Sequence, residues 1–176
     1  MRQLFVKMWD ASRPLLSLPA WLKIVAGYIG GDTPYVWTIQ DWQSQGKRKK
    51  LPIFVNDHST PNDAMSDGFA ILQRLYVLGV PKGSPVVIDM ETSVDPVYLL
   101  ALWQIIRWAG YKLWVYGSQG SVFQNPACDG YWVATLDGIQ RMFPGKSVRA
   151  TQYVNRGSYD TSWVKIWQYL FTLKTW

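Results

Sequence analysis

Apolar residues along the chain follow two rhythms: short bursts of strand length, and longer stretches with apolar residues at helical spacing. Leu4 to Met8 predicts a first strand that runs out into Trp9-Asp10-Ala11-Ser12. A short helix is expected around Leu18 to Lys23, capped by Ser17 with Pro19 in its first turn. Ile24 to Ile29 predicts a second strand, closed by Gly30-Gly31. Thr33-Pro34 opens a helix expected to reach about Gln45 and to stop at Gly46. Leu51 to Val55 predicts the third strand, with Asn56-Asp57-His58-Ser59 at its C-terminal end. Phe69 to Leu78 then carries apolar residues at helical spacing until Gly79.

Val86-Val87-Ile88 reads as a fully buried strand, and it breaks directly into Asp89-Met90-Glu91-Thr92. After it, Asp95 caps and Pro96 starts a helix with Leu99, Leu102, Ile105 and Ile106 on one stripe, ended by Gly110. Leu113 to Tyr116, Tyr131 to Ala134 and Val148 to Val154 predict three more strands, and Trp163 to Phe171 a last one on the closing edge.

Strands alternating with helices point to a parallel sheet, and the number of elements favours a barrel over an open doubly wound sheet. In a parallel barrel, chemistry sits at the C-terminal ends of the strands. Asp10, Asp57, Asp89 and Glu91 all fall at or just past such ends. At 176 residues the chain suits one domain spanning 1–176.

Asp89 and Glu91 share a face of their strand, with Cα atoms about 6–7 Å apart. Two like charges that close in a partly dry cleft cannot both ionise freely, so one pKa should rise. A protonated carboxyl beside a carboxylate is what glycoside hydrolysis requires. The alternative is that Asp89 caps the next helix and Glu91 meets a cation such as Arg107 or Lys112 at the rim.

Composition narrows the field. No run approaches the roughly 20 apolar residues of a membrane span, and Lys7 and Asp10 interrupt any signal-peptide core, so the chain is expected to be made without its own Sec signal. Cys128 is the one cysteine and lies in a turn-rich stretch, a structural position; His58, the one histidine, reads as a turn residue. No zinc site can be assembled from these. The net charge of +6 suits a polyanionic partner, while the run Lys47-Arg48-Lys49-Lys50 reads as a solvated connector. Eleven Trp and ten Tyr are an unusual number; core packing is expected to explain most of them, and rings near strand ends are also what a sugar cleft needs.

With these segments laid out, the chain resembles the lysozyme-type glycoside hydrolase family 25, and more closely the glycoside hydrolase-like domains known as DUF1906, common in actinobacteria and their phages. The resemblance is carried by Trp9-Asp10-Ala11-Ser12, Gly27-Tyr28-Ile29-Gly30-Gly31, Leu51-Pro52-Ile53-Phe54-Val55, Val87-Ile88-Asp89-Met90-Glu91, Val115-Tyr116-Gly117-Ser118, Tyr131-Trp132-Val133-Ala134, and Gln152-Tyr153 followed by Tyr159-Asp160. It implies an irregular TIM-like α/β barrel with a reduced helix count. It further implies Glu91 as proton donor, Asp89 as partner carboxylate, Asp10 as the acid on the first strand and Asp160 as the acid near the C-terminus. Family 25 enzymes cleave the β-1,4 bond after N-acetylmuramic acid in peptidoglycan without metal or cofactor.

The leading expectation is therefore a peptidoglycan-directed, muramidase-like hydrolase, phage-encoded, acting at the cell wall after release or as part of a virion. Tyr28, Asp57, Tyr116, Trp132, Gln152 and Tyr153 are its expected substrate contacts. The competing expectation is a non-catalytic barrel that binds cell wall or serves as a phage structural protein among other virion proteins. A third, a nucleic-acid enzyme holding Mg²⁺ on Asp10, Asp57, Asp89 and Glu91, is disfavoured because the basic residues form no nucleic-acid motif.

Overall fold

Each apolar burst becomes a strand, and each strand hydrogen-bonds to the next in chain order until the last meets the first. A computed structural model of the chain describes residues 5–14, 17–56, 60–90, 95–124, 127–145, 147–165 and 170. Its strands are β1 (Phe5–Ala11), β2 (Ile24–Gly31), β3 (Lys49–Val55), β4 (Pro85–Asp89), β5 (Lys112–Ser118), β6 (Gly130–Ala134), β7 (Val148–Asn155) and β8 (Asp160–Lys165). They form a closed barrel in which β1 to β7 are parallel and β8 runs antiparallel to both β7 and β1.

The reversal at β8 has a local cause. The segment between Asn155 and Asp160 is too short for a crossover, which takes a dozen residues or more, so the chain can only turn back on itself. Gly157 supplies the left-handed turn (φ 79°), its N–H donates to Asn155 Oδ1 at 2.8 Å, and Arg156 N–H donates to the Tyr159 carbonyl at 3.0 Å. β8 consequently begins at the rim where the parallel strands end.

Side chains alternate in and out of the barrel. Met8, Ile24, Ala26, Leu51, Ile53, Val87, Trp114, Trp132, Ala150 and Val164 fill the interior. The opposite faces, including Ile29, Phe54, Val86, Ile88, Leu113 and Val115, pack against the helices. These are α1 (Ile39–Ser44), α2 (Ala64–Val77), α3 (Pro96–Trp108) and the single turn α4 (Gln119–Val122), which follow β2, β3, β4 and β5. Among the described residues no helix follows β6, β7 or β8. Aromatic rings clad part of that wall instead. Trp9 stacks on Tyr159 at 4.0 Å and meets the edge of Trp21 at 5.5 Å, while Lys7 lies over Trp21 and Trp163. These four rings are structural cladding.

Four expectations about elements are corrected. The segment around Leu18 to Lys23 is no helix but a single turn closed by Leu22 N–H on the Pro19 carbonyl, since β2 begins too soon for a helix to propagate. α1 starts at Ile39, not at Thr33-Pro34: Thr38 and Asp41 form a reciprocal capping box, while Trp37 N–H is held by the Tyr28 carbonyl. The last strand is Asp160–Lys165 rather than Trp163 to Phe171, most of whose remainder lies outside the described residues. The basic run is not a solvated connector throughout. Lys50 is wholly buried, its Nζ donating to the Gly46 and Arg48 carbonyls at 2.7 and 2.9 Å, and burial lowers its pKa to about 8. Cys128 is half-buried, and burial pushes its thiol pKa up, which suits a structural residue.

Candidate functional site

At the C-terminal mouth of the barrel a small polar cavity of about 40 Å³ is lined by Asp10, Tyr28, Ile53, Asp89, Tyr116, Trp132 and Asp160. Strand register explains the gathering. Asp10 on β1 is paired directly with Asp160 on β8, Tyr28 with Ile53, and Asp89 with Tyr116, which in turn pairs with Trp132. All face inward on the alternation that sends Met8, Ile24, Val87 and Trp114 into the apolar interior below them.

That apolar floor sets the electrostatics. Asp10 is buried, and loss of water raises its pKa well above the usual carboxylate range; the neighbouring charges of Asp160 and then Asp89 push it further the same way. Its Oδ1 has no hydrogen-bond partner among the described residues. From sequence, the pair strained by like charge was expected on β4, between Asp89 and Glu91. Glu91 lies outside the described residues; a raised carboxyl is present on β1, where burial acts first and β8 adds Asp160 beside it.

The other expected contacts divide. Tyr28 and Tyr116 are half-buried at the cavity. Trp132 lies deeper, edge-on to Tyr116 at 4.9 Å, and its indole N–H already donates to Ser162 Oγ at 3.1 Å, so it offers the cavity a ring and no free donor. Gln152 is buried on β7 and does not line the cavity, although its Oε1 also lacks a partner among the described residues. Tyr153 sits where the β7–β8 register shifts; it too is buried away from the cavity. Glu91, Asp57 and His58 lie outside the described residues.

The cations named as alternative partners for Glu91 stand at the other end of the barrel from Asp89. Lys112 pairs with Pro85 at the start of β4, and Arg107, in the last turn of α3, meets Asp129 at 3.8 Å. Among the described residues no group of three or more His, Cys, Asp or Glu is placed to hold a metal ion.

A supporting network escaped the sequence reading. Asn56 N–H donates to the Asp89 carbonyl at 3.0 Å, and its side-chain amide donates to Asp67 Oδ2 at 2.6 Å and to Tyr98 OH at 2.9 Å. Tyr98 OH donates to the same Asp67 oxygen at 2.8 Å. The end of β3, α2 and α3 are thus tied together behind Asp89. The signal available was an Asn and an Asp at element ends, too common to single out.

No family model matches the chain, and no curated protein does. Solved structures do. An uncharacterised protein of B. stearothermophilus superposes with a TM-score of 0.76 over 94% of this chain and 100% of its own, at 16% identity. The modular autolysin LytC of Streptococcus pneumoniae, solved with a synthetic peptidoglycan ligand, gives 0.69 over 90% of this chain and 46% of its own, at 12% identity. A glycosyl hydrolase 25 of the same organism, described as a virulence factor in host cell invasion, gives 0.69 over 90% and 86%, at 10% identity. At these identities the likeness is one of fold alone, a TIM-like α/β barrel.

Proposed function

We propose that this chain is a peptidoglycan-directed glycoside hydrolase of the muramidase type, working at the cell wall either after release from a cell or as part of a phage particle. The observation that carries the reading is the convergence of Asp10, Asp89 and Asp160 on one aromatic-walled cavity at the barrel mouth, where burial and the neighbouring acids raise the pKa of Asp10. In this reading Glu91, two residues beyond Asp89, donates a proton to the leaving glycosidic oxygen. Asp89 faces the oxocarbenium-like centre as the partner carboxylate. Asp10 and Asp160 set the local potential, and Tyr28 and Tyr116 offer hydroxyls and ring faces to the sugar. The fold shared with peptidoglycan-active enzymes supports this assignment.

The cavity has room for a few waters but not for a pyranose ring. The glycan therefore lies across the mouth and only the reacting atoms reach inward. The same small volume favours one alternative, a barrel that binds wall glycan without cleaving it.

Release of reducing ends from purified cell walls, measured beside a pull-down on the same walls, separates the two. Wild-type protein is expected to release them and Glu91→Gln to lose at least about 10²-fold in turnover while still binding, the loss typical of a missing general acid. Binding without release by the wild-type protein on several wall types would leave the adhesive reading.

A further inference from the structure

α2 and α3 each carry two apolar stripes where a surface helix needs one. The first, Ala64, Gly68, Ile71 and Leu75 on α2 with Leu99, Leu102 and Ile106 on α3, is buried against the barrel. The second faces outward, with Leu72 partly buried within it. On α2 it is Met65, Phe69, Leu72 and Tyr76, at heptad-like spacing; on α3 it is Val97, Leu100, Gln104 and Trp108. Trp108 is 91% exposed, Tyr76 83%, Met65 and Phe69 64% and Val97 61%. The helices approach closely where Gly68 faces Ile105, and beside that contact runs an apolar groove of about 370 Å³ lined by Met65, Phe69, Leu72, Gln104, Ile105 and Trp108. Single exposed apolar residues are ordinary; a contiguous patch of this kind marks an interaction surface.

We propose that two copies of this chain pair through the outer faces of α2 and α3, forming a four-helix contact across a two-fold axis. Area is the first reason. An aromatic residue brings about 150–250 Å², so Phe69, Tyr76 and Trp108 alone leave about 500 Å² uncovered, and Met65, Val97 and Leu100 bring the patch towards the roughly 800 Å² per partner of a standard interface. Charge is the second. Asp67 is held by Asn56 and Tyr98, Arg74 donates to the Ile29 and Trp37 carbonyls, and Arg107, at the edge of the face one heptad after Leu100, lies over Trp103 and meets Asp129. A chain of net charge +6 repels its own copy except through a neutral face, and an anionic membrane would select a basic one. The polar member of the stripe is Gln104, whose amide both donates and accepts and so can pair with itself across a two-fold axis. The pairing face is on the barrel's outer wall, apart from the mouth, and the inference is independent of the hydrolase reading.

Sedimentation equilibrium of the full chain across the micromolar range tests it. The wild-type mass should rise with concentration from 20.2 kDa to twice that value. Trp108→Glu should weaken pairing about 30-fold or more, the loss of an interface hot spot. Gln104→Lys and Gln104→Glu should each weaken it, and an equimolar mixture of the two should restore pairing as a heterodimer. Circular dichroism and thermal melts check that each variant folds, and Tyr76→Lys replaces any that does not. A wild-type protein monomeric throughout, or a dimer indifferent to all these substitutions, would overturn the proposal. So would a monomer that sediments with phosphatidylglycerol vesicles and loses this in Trp108→Glu, which would make the patch a membrane contact.

Discussion

Asp10 shows how a single residue is held in a state it would not choose in water. Its carboxyl sits above an apolar floor, with Asp160 and Asp89 on the same cavity, and all three influences favour the protonated form. The folded chain therefore binds this proton more tightly than the unfolded chain, whose Asp titrates near pH 3.9. Between that value and the raised one the native state holds more protons, so its stability falls as pH rises through the window. Asp10→Asn removes the ionisable group while keeping its shape. At pH 7 the variant should melt about 2–8 °C higher than wild type, equivalent to about 1–2 kcal/mol for a chain of this size, and the difference should vanish near pH 3.5. Thermal melts across that range check it. A variant less stable than wild type at neutral pH would mean that Asp10 is held by favourable partners and not under strain. Under the proposed hydrolase function, reducing-end release by the same variant should drop.

Among the elements, the end of β4 is fixed from three sides. Met90 N–H donates to the Tyr116 carbonyl at 3.2 Å, Asn56 N–H donates to the Asp89 carbonyl, and Gly117 lets β5 approach so closely that an added Cβ would lie 2.7 Å from the Met90 carbonyl and 2.6 Å from Ser121 Oγ. Backbone oxygen cannot yield as a flexible side chain can. Gly117→Ala should therefore push the chain that leads to Glu91 outward, costing about 1–3 kcal/mol of stability and reducing turnover by about 10²-fold with the circular dichroism unchanged. Full activity in this variant would show that the contact does not position the segment proposed to carry the acid. The strands themselves, and the position of Asp10 and Asp89 at strand C-termini, were legible in the sequence because alternation and strand length are local properties. The pairing of Asp160 with Asp10 was not, since it depends on the direction of β8, which a turn of a few residues decides. Nor were the burial of Lys50, or the Asn56–Asp67–Tyr98 network, whose members come from three separate elements.

For the molecule as a whole, the distribution of charge matters more than its sum. Of its twelve acids, Asp10, Asp89 and Asp160 face into the mouth. The exterior is thus more basic than a net charge of +6 suggests, while the mouth is anionic. Such a molecule draws an anionic polymer to its outer surface and keeps negative groups out of its cavity, leaving uncharged sugar as the part that can approach the carboxylates. At 0.1 M salt the screening length is about 10 Å, so attraction spread over a surface weakens steeply as salt is added, whereas ring stacking and hydrogen bonds at the mouth do not. Two bindings with different salt behaviour follow. Capture on intact walls bearing anionic polymers should fall by about tenfold or more between low and high salt, in line with the loss of several ionic contacts. Affinity for a short uncharged glycan fragment, measured by calorimetry, should change by less than about twofold over the same range. Capture on walls that did not respond to salt would place the whole interaction at the mouth and leave the basic exterior without a part in it.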